Sequence, residues 1–140
     1  MILLDTNVIS ETFKPKPEPK VAGWLASIPI EMLFVSSITK AEMLYGVALM
    51  PDGSRKRDLT LVIQAFLEDY LVNPIESFDE HDAVEYARIS AHRRKIGRNI
   101  SELDAQIAAI AVNRNLAVAT HNVWDFEECG VKIINPWSTS

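Results

Sequence analysis

The sequence predicts an α/β fold: a three-layer α/β/α sandwich with a mainly parallel central sheet of four to five strands. Three observations predict it. Short apolar runs, Ile2–Leu4, Leu33–Ser36, Ala117–Ala119 and Lys132–Ile134, are spread along the whole chain. None alternates polar with apolar residues, which is the pattern of parallel strands covered on both faces. Segments of helical periodicity separate them, in the order strand, two helices, strand, several helices, strand, short helix, strand. Right-handed crossovers would join such strands. The 140 residues, 48% apolar and 24% charged, suit a single domain over residues 1–140 with a substantial core.

Each element has a local reason. Ile2–Leu4 is a strand that stops at Asp5. Lys14-Pro15-Lys16-Pro17-Glu18-Pro19 is a stiff loop that divides the next segment into two helices. Met43, Val47 and Met50 mark a helix after the second strand, and Pro51-Asp52-Gly53-Ser54 ends it. Leu59, Val62, Ile63, Phe66, Leu67 and Tyr70 recur on one helical face, in a helix starting near Ser54. A further helix runs from about Glu80 to Lys95 and stops before Gly97. Leu103, Ile107, Ile110 and Ala111 define another, over 101–112.

Composition excludes several classes of function. Fourteen basic against nineteen acidic residues give a net charge of −5, so binding nucleic acid needs a local basic patch or metal ions rather than bulk attraction. The single cysteine, Cys129, rules out an intrachain disulfide and a multi-cysteine zinc site, and reads as inert packing. The start, Met-Ile-Leu-Leu-Asp, has no basic region and is not a signal peptide, so the expected location is the cytoplasm.

In a parallel α/β sheet, ligands bind at the carboxyl ends of the strands. Asp5 follows the first strand directly. Glu42 lies in the helix after the second, Asn122 and Asp125 follow the third, and Asp104 opens the helix ahead of it. Clustered carboxylates repel one another, and a divalent cation relieves that cost. Oxygen ligands without His or Cys suit Mg²⁺ or Mn²⁺. Helix capping is the competing account. Thr39-x-x-Glu42 and Ser101-x-x-Asp104 have the form of capping boxes, and Asp5, Thr6, Asn122 or Asp125 could cap their helices.

Four stretches carry these acids: Met-Ile-Leu-Leu-Asp5-Thr-Asn-Val-Ile-Ser, Ser-Ile-Thr39-Lys-Ala-Glu42-Met-Leu-Tyr-Gly46-Val, Glu102-Leu-Asp104-Ala-Gln-Ile-Ala-Ala109 and Ala-Thr120-His-Asn122-Val-Trp-Asp125-Phe126. Together they resemble the PIN-domain ribonucleases. The ending Val131-Lys-Ile-Ile-Asn135-Pro-Trp137 is also similar, so the likeness spans nearly the whole chain. Within that family the chain resembles the VapC toxins of toxin–antitoxin pairs.

The resemblance implies a Mg²⁺- or Mn²⁺-dependent endoribonuclease with Asp5, Glu42, Asp104 and Asp125 as catalytic acids. Asp5 and Asp104 would be the main metal ligands, with Glu42 completing the set. Asn122 stands where many relatives carry Asp, and His121 where an Arg is common; Asp125 would take over the fourth position. Thr6, Asn7, Thr120 and Asn122 would support the acids or contact phosphate. It also implies a homodimer and a VapB-like antitoxin partner that supplies the DNA binding. Two rivals remain: a non-toxin or inactive PIN fold, and a receiver-type phosphate-binding module. The second would want a paired acid beside the first strand and a Lys after the last, whereas Asp5 stands alone.

Other features have two readings each. Arg88, His92 and Lys95 share a helix face that could hold RNA phosphates or simply face solvent. Trp24, Trp124 and Trp137 could stack on bases or fill core and interface. Gly46 and Ala108, one turn beyond Glu42 and Asp104, would leave room for substrate or allow close helix packing. The segments 43–50 and 59–70 could serve partner contacts or the core.

Overall fold

The computed structural model describes residues 1–138. Four strands, β1 (Ile2–Leu4), β2 (Leu33–Phe34), β3 (Ala117–Ala119) and β4 (Ile133–Ile134), form one sheet in the order β2-β1-β3-β4. Every pairing in it is parallel. The helices are α1 (Thr6–Thr12), α2 (Pro19–Ser27), α3 (Ser37–Ala48), α4 (Ser54–Ala65), α5 (Glu80–Lys95), α6 (Glu102–Arg114) and α7 (Val123–Phe126).

Side chains alternate across a strand, so β1 feeds two cores. Ile2 and Leu4 point to one, with Val8, Ile9, Val21, Met43, Val47 and Ile63 from α1 to α4. Leu3 points to the other, with Ile89 and Ile107–Ala111 from α5 and α6. This is the three-layer sandwich the sequence predicts. The second layer is locked by Arg114. Its guanidinium donates to both oxygens of the buried Asp82 carboxylate at 2.8 and 3.0 Å and to Glu76 at 2.9 Å.

Element ends differ from expectation where long-range partners intervene. The second strand stops at Phe34, not Ser36. Beyond it the Val35 carbonyl accepts from Glu76 N–H at 2.9 Å, and Ser36 turns to cap α3. The helix expected through Tyr70 leaves α-geometry at Ala65 and finishes as a π turn, Phe66–Tyr70, closed by Leu71 N–H on the Phe66 carbonyl. Within 59–70, Ile63 and Phe66 are buried while Val62 and Tyr70 are exposed. Helix α6 runs to Arg114, and Asn115 stops it with φ 53°, a left-handed conformation that Asn tolerates.

Candidate active site

Asp5 is the first residue after β1, and its N–H still pairs with the Ala119 carbonyl at 2.9 Å. The strand ladder therefore delivers the acid to the carboxyl edge of the sheet, beside Thr120 at the end of β3. The side chain is 5% exposed and surrounded by donors. Oδ1 accepts from Thr6 N–H at 2.9 Å, which makes Asp5 the cap of α1 as well. Oδ2 accepts from the Thr120 hydroxyl at 2.8 Å and from the Asn7 amide at 3.1 Å.

Thr6 joins two of the acids. Its N–H holds Asp5, and its hydroxyl donates to Glu42 Oε1 at 2.9 Å. The Thr39–Glu42 capping box does not form. Ser36, not Thr39, caps α3, by accepting from Thr39 N–H at 3.1 Å. Glu42 therefore sits further into the helix, released from capping and turned toward Thr6. Asp104 differs: Ser101 caps α6 by accepting from Asp104 N–H at 3.1 Å.

Thr120 is buried and its hydroxyl also accepts from Asn122 N–H at 3.0 Å, while Asn7 Oδ1 accepts from His121 N–H at 3.0 Å. Asn122 thus contributes its backbone to the site, and its exposed side chain forms no cap bond to α7.

The electrostatics mark these acids as a group. Burial, the largest cause, raises the Asp5 pKa; the Glu42 charge adds to it, and the bonds from Thr120, Thr6 and Asn7 work the other way. Burial likewise pushes Asp104 up, to about 6, reinforced by the Asp5 and Asp125 charges and opposed by Ser101 and Arg93. Carboxylates on four separate segments therefore feel one another at one edge of the sheet. Thr120→Val removes a hydrogen bond to a buried charge and is expected to cost about 1–3 kcal/mol at pH 8. Urea unfolding measures this, and the penalty should shrink as the pH is lowered and Asp5 takes up its proton.

This geometry has a family match: residues 2–130 fit the model described as the PIN domain. The chain belongs to the PIN-domain family. It is similar over 98% of its length to three bacterial relatives. Plasmid stability protein StbB of Pseudomonas syringae is 41% identical, covered over 99% of its own length. Toxin FitB of Neisseria gonorrhoeae is 39% identical, also covered over 99%. VapC ribonuclease Y4jK of Sinorhizobium fredii is 39% identical, covered over 98%. In a solved structure of FitAB bound to an IR36 DNA fragment, one chain aligns with a TM-score of 0.94 at 38% identity. That alignment covers 100% of this chain and 98% of the other.

The donor set of this PIN domain fits a hard divalent ion. Carboxylate and hydroxyl oxygens line the site, and Cys129 is buried away from solvent with its thiol pKa raised by that burial. Among the described residues, no three Asp, Glu, His or Cys side chains already converge into a closed cage. Mg²⁺ does not require one: it keeps several waters and commonly takes one or two carboxylates. The raised pKa values of Asp5 and Asp104 are the unrelieved cost that such an ion would offset.

The predicted basic face is only partly free. Arg88 is bonded to Glu85 at 2.7 Å, and His92 lies 3.3 Å from Glu128. Trp124 is 62% exposed, with the Arg98 guanidinium 3.6 Å above its ring. Trp137 stacks on His121 at 4.3 Å between centroids, and Trp24 packs against the core.

One important residue was missed in the sequence. Arg93 is completely buried and binds the backbone carbonyls of Arg98, Asp125 and Glu127 at 2.6, 2.9 and 2.8 Å. It ties α5 to the segment that carries Asp125. A signal existed: Asp82, Tyr86, Ile89 and Arg93 recur at helical spacing on the inward face of α5. The neighbouring basic run His92–Lys95 hid it.

Proposed function

We propose that this PIN domain is the toxin of a type II toxin–antitoxin pair, a Mg²⁺- or Mn²⁺-dependent endoribonuclease that hydrolyses RNA phosphodiester bonds. The observation that carries this reading is the carboxylate group at the sheet edge, organised around a buried Asp5 and coupled to Glu42 through Thr6. The names of the relatives support it: Toxin FitB, VapC ribonuclease Y4jK, and the FitAB structure bound to a DNA fragment. Asp5, Glu42 and Asp104 would hold the ion, with Asp125 at the fourth position. The ion supplies Lewis acidity at the phosphate and neutralises the acids.

The chain's own residues do the rest. Thr120, Asn7 and Thr6 N–H fix the Asp5 carboxylate and oppose the rise in its pKa that burial causes. Thr6 orients Glu42 in the same way. Asp104, titrating near 6, is charged at neutral pH and protonated in mild acid. Protons therefore compete with the ion for this carboxylate, and more metal should be needed for cleavage as the pH falls below about 6.

No helix among the described residues is long and apolar enough to cross a membrane, and the proposed location is the cytoplasm. Helices α3 and α4 leave Leu44, Tyr45, Leu49, Leu61 and Val62 exposed, which suits a homodimer and a VapB-like antitoxin. DNA would be reached only through the antitoxin.

The test is cleavage of mixed single-stranded and hairpin RNAs by the purified chain, free of partner, in Mg²⁺, Mn²⁺ or EDTA. Cleavage should require the metal. Asp5→Asn should lose more than the roughly 10–100-fold that removal of a supporting residue costs. Full activity in EDTA or in Asp5→Asn would overturn the assignment.

A further inference from the structure

We infer that the cleft beside Glu42 is a nucleotide subsite, which takes one base of the RNA strand next to the cleaved phosphate. The inference rests on the nuclease reading above and deepens it. A cleft of about 300 Å³ opens between α1, α3 and α4 and shares Thr6 and Glu42 with the acidic site. Phe13, Met43, Leu59 and Ile63 form apolar walls, and Lys14 and Arg55 stand at its edge. Lys14 is engaged with Glu11 at 2.9 Å, whereas Arg55 has no carboxylate partner among the described residues.

Gly46 makes the cleft specific. It lies inside α3, one turn after Glu42, and lines the cavity. Glycine there weakens a helix relative to alanine. Its φ is not positive, so the backbone does not require it. A Cβ built at Gly46 meets nothing within 4 Å, so close packing inside the domain does not require it either. Ala108, its counterpart beyond Asp104, is wholly buried in the α5–α6 core and is explained by packing. What Gly46 preserves is open space beside an acid.

A nucleotide matches this space chemically. Its flat base suits apolar walls, and its phosphates suit Lys14 and Arg55 while the reacting phosphate lies toward the acids. The volume is at the low end for a small-ligand site, enough for one base rather than a helix. The exposed apolar side chains that would seat a partner helix, Leu44, Tyr45, Leu49, Leu61 and Val62, do not line the cleft.

The test is an NMR titration of the full chain, free of partner, with AMP, GMP, CMP and UMP, and with ribose 5-phosphate as the baseless control. At least one nucleotide should shift the Gly46 and Arg55 amides and the Met43 methyl saturably. Gly46→Leu, which extends into open space, should raise that Kd at least tenfold. No saturable shift, equal shifts with ribose 5-phosphate, or an unchanged Kd in Gly46→Leu would overturn the subsite.

A cleavage arm separates this from the wider reading. In RNAs carrying one abasic position at a time, one position beside the cut should lose at least tenfold in kcat/KM, and Gly46→Leu should erase that dependence. Metal-dependent cleavage indifferent to every abasic position would overturn the subsite and leave the nuclease. Saturable nucleotide binding without any RNA cleavage would overturn the nuclease and leave the nucleotide site.

Discussion

Asp104→Asn is expected to give a protein that no longer cleaves RNA yet is more stable than the wild type above pH 6. The substitution keeps the shape of the side chain and removes its charge. Burial, with Asp5 and Asp125 nearby, holds the Asp104 carboxyl at about 6 against an ordinary 3.8. The folded protein therefore binds this proton more tightly than the unfolded chain. That contribution to stability is fully present below about pH 4 and is lost as the pH rises through 6. At pH 8 the wild type carries the whole penalty and the Asn variant none. Because the group is partly open to solvent, screening leaves a gain of about 1 kcal/mol, a rise of a few degrees in Tm. Thermal unfolding at pH 4 and pH 8 measures it. A variant no more stable at pH 8 than at pH 4, relative to wild type, would remove Asp104 from the electrostatic group. Cleavage by the variant at the wild-type rate would remove it from the active site.

Arg93→Ala is expected to lose about 3 kcal/mol or more, the largest single effect on folding. Three backbone carbonyls, of Arg98, Asp125 and Glu127, depend on its guanidinium. Each buried acceptor left unpaired costs about 1–3 kcal/mol, and the vacated volume adds a cavity. Arg93→Lys should recover only part of the loss, since one ammonium cannot reproduce the planar fork that reaches acceptors on two separate segments. Urea unfolding of the two variants gives both numbers. If Arg93→Lys were as stable as wild type, the guanidinium geometry would be irrelevant and charge alone would suffice. Because Asp125 rides on the same segment, Arg93→Lys should also lower cleavage in the fraction that remains folded.

Much of the fold was legible locally. The bounds of β1, β3 and α5 match the expected ones, and α4 begins at Ser54 as the Gly53-Ser54 stop suggested. Periodicity and breakers act within a few residues, so one sequence carries them. The acids at the strand ends were legible for the same reason. Asp5 follows a strand, Asp104 opens a helix and Glu42 lies in the second turn of the helix after β2, and a parallel sheet collects such positions at one edge.

Other choices depended on neighbours remote in the chain. Ser36 and Thr39 are equally good caps by type; Ser36 wins because β2 ends early and the chain pairs with Glu76, forty residues on. Arg93 and Arg94 are adjacent and alike, yet one is buried under three carbonyls and the other is exposed. Gly46 and Ala108 occupy equivalent places beyond two acids, and only the packing of α5 against α6 separates them.

The sequence by itself determined the type and order of the elements and the edge at which the carboxylates gather, because both follow from local hydrophobic period and strand direction. The tertiary structure alone decided which acids are buried, which cations are already paired, and where space stays open beside Glu42. Desolvation, ion pairing and free volume belong to groups brought together from opposite ends of the chain, and no local pattern encodes them.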